Sequence, residues 1–461
     1  MNRHLETGEY VMSSCGRVKT IGVFGHVGNS NLGDEAIITS VIANIRERLP
    51  TAVIRGFTLR PADTHERHKI AAFPLRRLRI ARPTVTSQEA ERRRSIRSFA
   101  SVEWFVKVKE ALKKFPRLRR SLAGAQRGLL ILLSAMGEPS FLVKSYVNMR
   151  GVDLLLIAGS SQLIDYVPGG AWGHPYTIFK WVLIARFQRT KVAFVSCGAG
   201  PIQSRLGRLF IRASLTMAEY ISFRDESSRA CVEQLGVSKR RPVCPDLAFA
   251  LRIPEANNHE PPSSSRPIIG INAIPFSDPR MWIGGGVVAY ETYIKALARV
   301  AEWVVARGYA VMFFPTQLRA DPPAISDLLC LTTRLIDPEL KRHVFERRIK
   351  SFDDLVASLR SAEMVIATRF HGIVISYLLN KPVLGIAYAA KTRDLMMQMG
   401  QGEFALDIFQ LDLERIQERF VQLETRQPEL KVEISQRVTR HYQVLASQYD
   451  EVLALIHTVD V

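Results

Sequence analysis

Two residue types suited to anions and protons stand close together in Thr368-Arg369-Phe370-His371-Gly372. The Arg369 guanidinium is a planar fork that matches phosphate or carboxylate oxygens, and His371 can exchange a proton near neutral pH. The pair follows an apolar run, Met364 to Ala367, and opens a helical pattern. Both residues therefore flank a helix N-terminus, whose backbone N–H groups favour anions. An anion site containing an acid or base is the chemistry this placement supports. A second such place is Gly25-His26-Val27-Gly28-Asn29-Ser30-Asn31-Leu32-Gly33-Asp34-Glu35. Its glycines permit tight turns and close approach of backbone to a ligand. Asp34 reads either as the cap of the following helix or, with Glu35, as a hydroxyl ligand or general base. Neither GKS/GKT nor GxGxxG is present, which excludes a Walker A loop and a dinucleotide fingerprint. Arg224, in Phe223-Arg224-Asp225-Glu226-Ser227, either faces a cleft or pairs with Asp225 or Glu226. Lys391, after Tyr388-Ala389-Ala390, is either a point charge for an anion or an ordinary surface lysine.

All four places need a strand before them and a helix after, and the chain supplies that rhythm. Short apolar runs at Thr20–Phe24, Val53–Leu59, Asp153–Ala158, Lys191–Ser196 and Tyr220–Phe223 alternate with helical spacing such as Ile37, Ile38, Val41, Ile42, Ile45 and Leu49. The Pro-, Ser- and Asn-rich stretch 252–267 reads as a linker. Beyond it the rhythm restarts with strand Ile268–Asn272, the run Gly284-Gly285-Gly286 and a helix from about Val288 to Arg307. Strands Ala310–Phe314, Met364–Ala367 and Val383–Ile386 follow, and Leu411 to Thr458 is largely helical. The fold class expected is α/β, with two Rossmann-like domains facing a central cleft. The expected divisions are a tail 1–19, a first domain 20–251 with a basic helical insertion at about 60–127, the linker, a second domain 268–408 and a helical segment 409–461.

Composition removes several classes. Of 461 residues, 47% are apolar, enough for globular cores. The longest apolar stretch, Gly128 to Met136, is too short to cross a bilayer, and no secretory h-region opens the chain. Five scattered cysteines without metal-ligand spacing suggest a reduced cytoplasm and no structural metal. The net charge of +19 is concentrated: Arg60 to Arg127 holds 19 Lys or Arg against 6 Asp or Glu, which is +13. Its interleaved basic and apolar residues suit an anionic membrane surface or a polyanion, or else a solvated helical insertion without a partner. No nucleic-acid motif accompanies the charge, so no nucleic acid is expected.

The pieces GNSNLGDEAI (Gly28 to Ile37), DLLLIAGSSQLID (Asp153 to Asp165), SCGAGP (Ser196 to Pro201), FRDESS (Phe223 to Ser228), CPDLAF (Cys244 to Phe249) and TRFHGIVISYLLNKPVLGIAYAAK (Thr368 to Lys391) resemble the polysaccharide pyruvyl transferase family. The resemblance implies a fold similar to the two-domain, GT-B-like glycosyltransferases, with the donor in the interdomain cleft. It implies phosphoenolpyruvate as donor and co-substrate, no other cofactor, and a sugar or lipid-linked oligosaccharide as acceptor. By the same resemblance Arg369 and His371 lie in the donor pocket and Arg224 joins them. The mechanism expected has Arg369, with Arg224 or Lys391 and beside Phe370, binding the donor, His371 as the acid, and Asp34 or Glu35 as the base. Gly28, Asn31, Gly33 and Gly159 are expected on the acceptor side. The family commonly carries three glycines where this chain has Gly159-Ser160-Ser161, and its basic segment is shorter. A cytoplasmic enzyme, or one peripheral to the inner face of the plasma membrane, is the expectation. The rival expectations are a glycosyltransferase using a nucleotide sugar and a catalytically silent, membrane-docked relative.

Overall fold

The apolar runs form strands buried on both faces, which is why they read as continuous and not alternating. A computed structural model describes residues 17–25, 28, 30–77, 137–166, 169–237, 241–254, 266–281 and 285–457. Most of the expected tail, residues 78–127 of the expected basic insertion, the middle of the expected linker and Gly284 lie outside the described residues. In chain order the first unit holds β1 (Thr20–Phe24), α1 (Leu32–Arg48), β2 (Val53–Thr58), α2 (Pro61–His68) and β3 (Ala71–Pro74). It continues with α3 (Glu138–Met149), β4 (Leu154–Ala158), α4 (His174–Phe187), β5 (Lys191–Cys197), α5 (Arg205–Thr216), β6 (Tyr220–Phe223) and α6 (Glu226–Glu233). The expected insertion at Arg60 therefore needs correction, because its opening residues form α2 and the edge strand β3. Pro61 suits the first helical turn, and the AAFP of β3 is too short and too proline-marked to stand out as a strand.

The second unit holds β7 (Ile268–Asn272), α7 (Val287–Ala306), β8 (Ala310–Phe313), α8 (Asp321–Leu335), β9 (Val344–Glu346) and α9 (Phe352–Arg360). Then come β10 (Ala362–Ala367), α10 (Phe370–Leu378), β11 (Val383–Ala387), α11 (Ala390–Gln398), β12 (Ala405–Asp407), α12 (Leu413–Thr425) and α13 (Gln427–Ala454). Both sheets are parallel and six-stranded, ordered β3-β2-β1-β4-β5-β6 and β12-β11-β10-β7-β8-β9. Counted within its own unit, each is the doubly wound order 3-2-1-4-5-6. Each sheet thus has one switch point, between β1 and β4 in the first and between β7 and β10 in the second.

The last helix does not stay with the second unit. α13 returns to the first sheet, where Gln448, 2% exposed, accepts a hydrogen bond from Ser222 (2.6 Å) and donates one to Ser196 (3.1 Å). Beside it Arg48 of α1 pairs with Asp450 at 2.6 Å. One apolar core runs through both units by way of α1, α10, α13 and the turn Leu247–Ala250. A second core lies on the other face of the first sheet, under α3, α4 and α5. Among the described residues no helix is long and apolar enough to cross a membrane.

Candidate functional site

The two switch points face each other, and their loops touch. Leu32 N–H donates to Thr316 O and Leu318 N–H to Ser30 O, both at 2.9 Å, with Asn31 and Gln317 bridged in antiparallel fashion. Between the units lies a cavity of about 570 Å³. Asn31, Asp34, Arg224, Arg369, Phe370, His371 and Lys391 all line it. Seven of the eleven residues expected at the site therefore meet. Glu35, Gly28, Gly33 and Gly159 are not among its lining.

The cap of α1 is Asn31 and not Asp34. The Asn31 carboxamide oxygen accepts the Gly33 N–H at 3.2 Å, which leaves Asp34 in the first turn with its carboxylate toward the cleft. There one Asp34 oxygen accepts from Asn31 Nδ2 (2.8 Å) and the other from Ser160 Oγ (3.1 Å). Burial raises the Asp34 carboxyl above its ordinary value, against the lowering pull of His371, Ser160 and Asn31. Glu35 points the other way, into a buried pair with His68 Nε2 at 2.8 Å, so it anchors α2 and does not reach the cavity. Gly28 (φ +87°) makes its turn against Arg60, where a Cβ would sit 2.6 Å from the Arg60 Cβ. Gly159 (φ +47°) turns the chain after β4 so that Ser160 enters the cleft and holds Asp34.

Gly33 has a different task. A Cβ there would lie 2.0 Å from His371 Nδ1 and 2.1 Å from His371 Cγ, so the missing side chain lets the second unit's histidine rest on the start of α1.

Arg369 is the residue before α10, and its backbone N–H donates to Asn272 Oδ1 at 2.9 Å. Its Nε donates to the fully buried Asp321 at 2.9 Å. The other Asp321 oxygen accepts the backbone N–H groups of Thr316 (3.1 Å) and Gln317 (2.8 Å), so the same carboxylate that aims Arg369 holds the loop that meets α1. Both sequence readings of Arg224 hold in part. It is 4% exposed, pairs with Asp225 at 3.2 Å and Asp246 at 3.4 Å, and still lines the cavity, stacked 4.4 Å above the Phe370 ring. Glu226 instead pairs with Arg229. Gly198 makes room, since a Cβ there would be 2.7 Å from the Arg224 guanidinium.

Sequence reasoning missed Asp246 and Tyr388. Asp246, 1% exposed, lies between Arg224 of the first unit and His371 of the second, with His371 Nε2 at 3.8 Å. That distance is an ion-pair separation and too long for a hydrogen bond; the buried Nε2 has no hydrogen-bond partner. Burial alone would raise the Asp246 carboxyl, but the His371 and Arg224 charges and the Ala248 N–H outweigh it and hold it at about 2. Its folded value is below that of an unfolded aspartate, about 3.9. The carboxylate therefore stabilises the fold above that pH and ceases to do so as pH falls toward 2. Asp246→Asn is expected to flatten the acid-side stability slope between about pH 4 and pH 2. At pH 7 it should cost about 3–5 kcal/mol, because Arg224 stays buried with one carboxylate fewer. Urea unfolding at stepped pH measures both, and an unchanged slope would remove Asp246 from this account. Burial would also raise the Tyr388 phenol, yet the cations Lys391, Arg369 and Arg224 outweigh it and bring its pKa below the ordinary value. The signal for Asp246 was its place in the CPDLAF stretch; for Tyr388 it was the position straight after β11.

The family profile described as Polysaccharide pyruvyl transferase matches residues 31–389, which takes in all of these loops. The chain belongs to the polysaccharide pyruvyl transferase family. It is also similar to the amylovoran biosynthesis protein AmsJ of Erwinia amylovora, at 24% identity over 287 residues. That match covers 59% of this chain and 66% of AmsJ, so the chain spans just under two thirds of this curated relative. Among solved structures it resembles MnaA of S. aureus in complex with UDP (TM-score 0.53, 10% identity, 94% of each chain). It also resembles the UDP-GlcNAc 2-epimerase of Neisseria meningitidis (TM-score 0.52, 12% identity, 95% of this chain and 100% of that one). A glycosyltransferase from Rickettsia africae gives a TM-score of 0.51 at 11% identity, with 95% and 99% covered. At such identities the likeness is one of fold: a pyruvyl transferase family member built on two Rossmann-like units.

Proposed function

We propose that this cleft moves the pyruvyl group of phosphoenolpyruvate onto two hydroxyls of a sugar, forming a ketal and releasing phosphate, during assembly of an exopolysaccharide. The observation that carries the reading is the charge of the cavity. Arg224 from one unit and Arg369, His371 and Lys391 from the other converge on it, while Asp34 is the one carboxylate in its lining among the described residues. Phosphoenolpyruvate carries a phosphate and a carboxylate on three carbons, which matches guanidinium forks and a lysine placed around one small space. The cavity, about 570 Å³, is within the range of roughly 300–1,000 Å³ usual for small-ligand sites. Family membership and the likeness to AmsJ, an amylovoran biosynthesis protein, support the polysaccharide side of the reading.

The residues then take the following parts. Arg369, braced by Asp321, and Lys391 bind the donor's anionic groups, and Arg224 with Phe370 closes the floor. His371, as imidazolium beside Asp246, gives a proton to the methylene carbon, and positive charge develops on the adjacent carbon. One sugar hydroxyl attacks that carbon and passes its proton to Asp34, which hands it to the departing phosphate. The second hydroxyl closes the ketal and returns its proton to His371. Of the two hydroxyl protons, one ends on the new methyl group and one on inorganic phosphate, so the step balances. The role expected of Glu35 falls to Asp34 alone, because Glu35 is committed to His68.

Ligand-dependent melting of the purified chain tests the donor. Phosphoenolpyruvate at about one hundred times its Kd should stabilise the fold by about 2.7 kcal/mol, while UDP and UDP-sugars should leave the melting temperature unchanged. Stabilisation by a uridine nucleotide and none by phosphoenolpyruvate would overturn the reading.

A further inference from the structure

Helices α3, α4 and α5 lie together over one face of the first sheet, with Phe141, Trp181 and Ile211 pointing into their own core. The opposite face of that sheet is taken by α1 and α13. A helix whose inner stripe is already buried ordinarily presents polar residues outward. Here the outward side is apolar at several points. On α3, Val143 (65% exposed), Tyr146 and Val147 (61%) sit at i, i+3 and i+4, one stripe facing solvent. Leu209 of α5 is 59% exposed and Trp172, in the turn before α4, 67%.

Trp172 is not a stray side chain. Its ring is held edge-on to Phe210 of α5 at 5.6 Å and tilted on Tyr176 of α4 at 5.4 Å, so a large amphipathic ring is fixed at the surface. Around Leu209 the exposed positions of α5 are Arg205, Arg208 and Arg212, and α5 contains no acidic residue. Exposed valine and tyrosine on α3 and exposed tryptophan and leucine with arginines beside α5, on either side of α4, make up the composition of a surface that lies in a lipid headgroup region. Aromatic residues and arginine also mark protein–protein interfaces; three arginines with no carboxylate on α5 are what favour lipid phosphate as the occupant here.

We propose that the outer face of α3 and α5, with Trp172, docks this chain on an anionic bilayer, the apolar side chains entering the headgroup boundary while the α5 arginines meet lipid phosphates. The connection from β4 to α4 joins this face to the cleft, since it carries both Tyr166, which lines the cavity, and Trp172. The surface contact expected of residues 60–127 is a separate matter, and 78–127 lie outside the described residues.

The test is co-sedimentation of the full chain with vesicles, phosphatidylcholine alone against phosphatidylcholine with phosphatidylglycerol. Binding should need phosphatidylglycerol and weaken between about 0.1 M and 0.5 M salt as the Debye length shortens. Trp172→Ser with Leu209→Ser should lower vesicle affinity at least tenfold, and Arg205→Gln with Arg212→Gln should lower it by about fivefold per arginine. All four positions are solvent-facing, so melting temperatures should stay near wild type; if the apolar pair unfolds the chain, the arginine pair decides. Brominated lipid should quench wild-type tryptophan emission more than that of Trp172→Ser. The proposal fails if neither vesicle type is bound, if both variant pairs bind as wild type does, or if Leu209→Ser abolishes a dimer seen without lipid. Vesicle binding is read without turnover, so its failure and that of the phosphoenolpyruvate reading are distinguishable.

Discussion

His371→Gln should lower kcat for phosphate release from phosphoenolpyruvate by about 10²- to 10⁴-fold, the usual worth of a positioned general acid, with a much smaller change in KM. Glutamine fills similar space against Gly33, so packing between the units is largely kept and the loss reports the proton. The geometry behind the expectation is specific. His371 Nε2 is buried, lacks a hydrogen-bond partner and faces Asp246 at 3.8 Å. In the proposed step the protonated ring gives its proton to the donor's methylene carbon. The cations proposed to bind the donor, Arg369, Lys391 and Arg224, line the same cavity and are left in place by the substitution. A fall in kcat with KM preserved is the signature of an interaction made mainly in the transition state. A variant releasing phosphate at the wild-type rate would remove His371 from the chemistry.

Gly33→Ala is expected to damage both stability and turnover, although the change is one methyl group on a helix. The added Cβ would stand 2.0 Å from His371 Nδ1 and 2.5 Å from His371 Cβ, so turning the ring alone does not relieve the overlap. Gly33 belongs to the first turn of α1, whose preceding residues are bonded to Thr316 and Leu318, and His371 belongs to the first turn of α10, tied through Arg369 to Asn272 and Asp321. Relief must therefore come from separating the units. Overpacking of this kind costs about 1–3 kcal/mol, and displacing a reacting group by about 1 Å can cost 10²-fold in rate. Joining Gly33→Ala to His371→Gly, which removes the His371 Cβ that would stand 2.5 Å from the new methyl, should restore much of the stability lost to the overlap and none of the activity, a coupling that urea unfolding and phosphate release together would expose. If Gly33→Ala alone melts and turns over as wild type does, the close approach of α1 and His371 is not what sets the site.

The readable part of this chain was local. Buried parallel strands announce themselves as apolar runs, and turns as glycine, proline and small polar residues, because those properties act within a few residues. Arg369 and His371 were legible for the same reason: type, spacing and a place after β10 are all contained in five residues. Elements with weak local character escaped, as the four-residue β3 did, and so did the choice of cap, since Asn31 and Asp34 are equally able to accept an N–H. What each polar side chain does once there depended on partners far along the chain. Asp34 became free for the cleft because Asn31 capped the helix, and Glu35 was withdrawn because His68 came within 2.8 Å. Asp246 acquired its place between Arg224 and His371, and Gly33 its need to be glycine, only when the second unit closed against the first. Such meetings are set by sheet order and by the packing of one unit on the other, and a window of sequence holds neither.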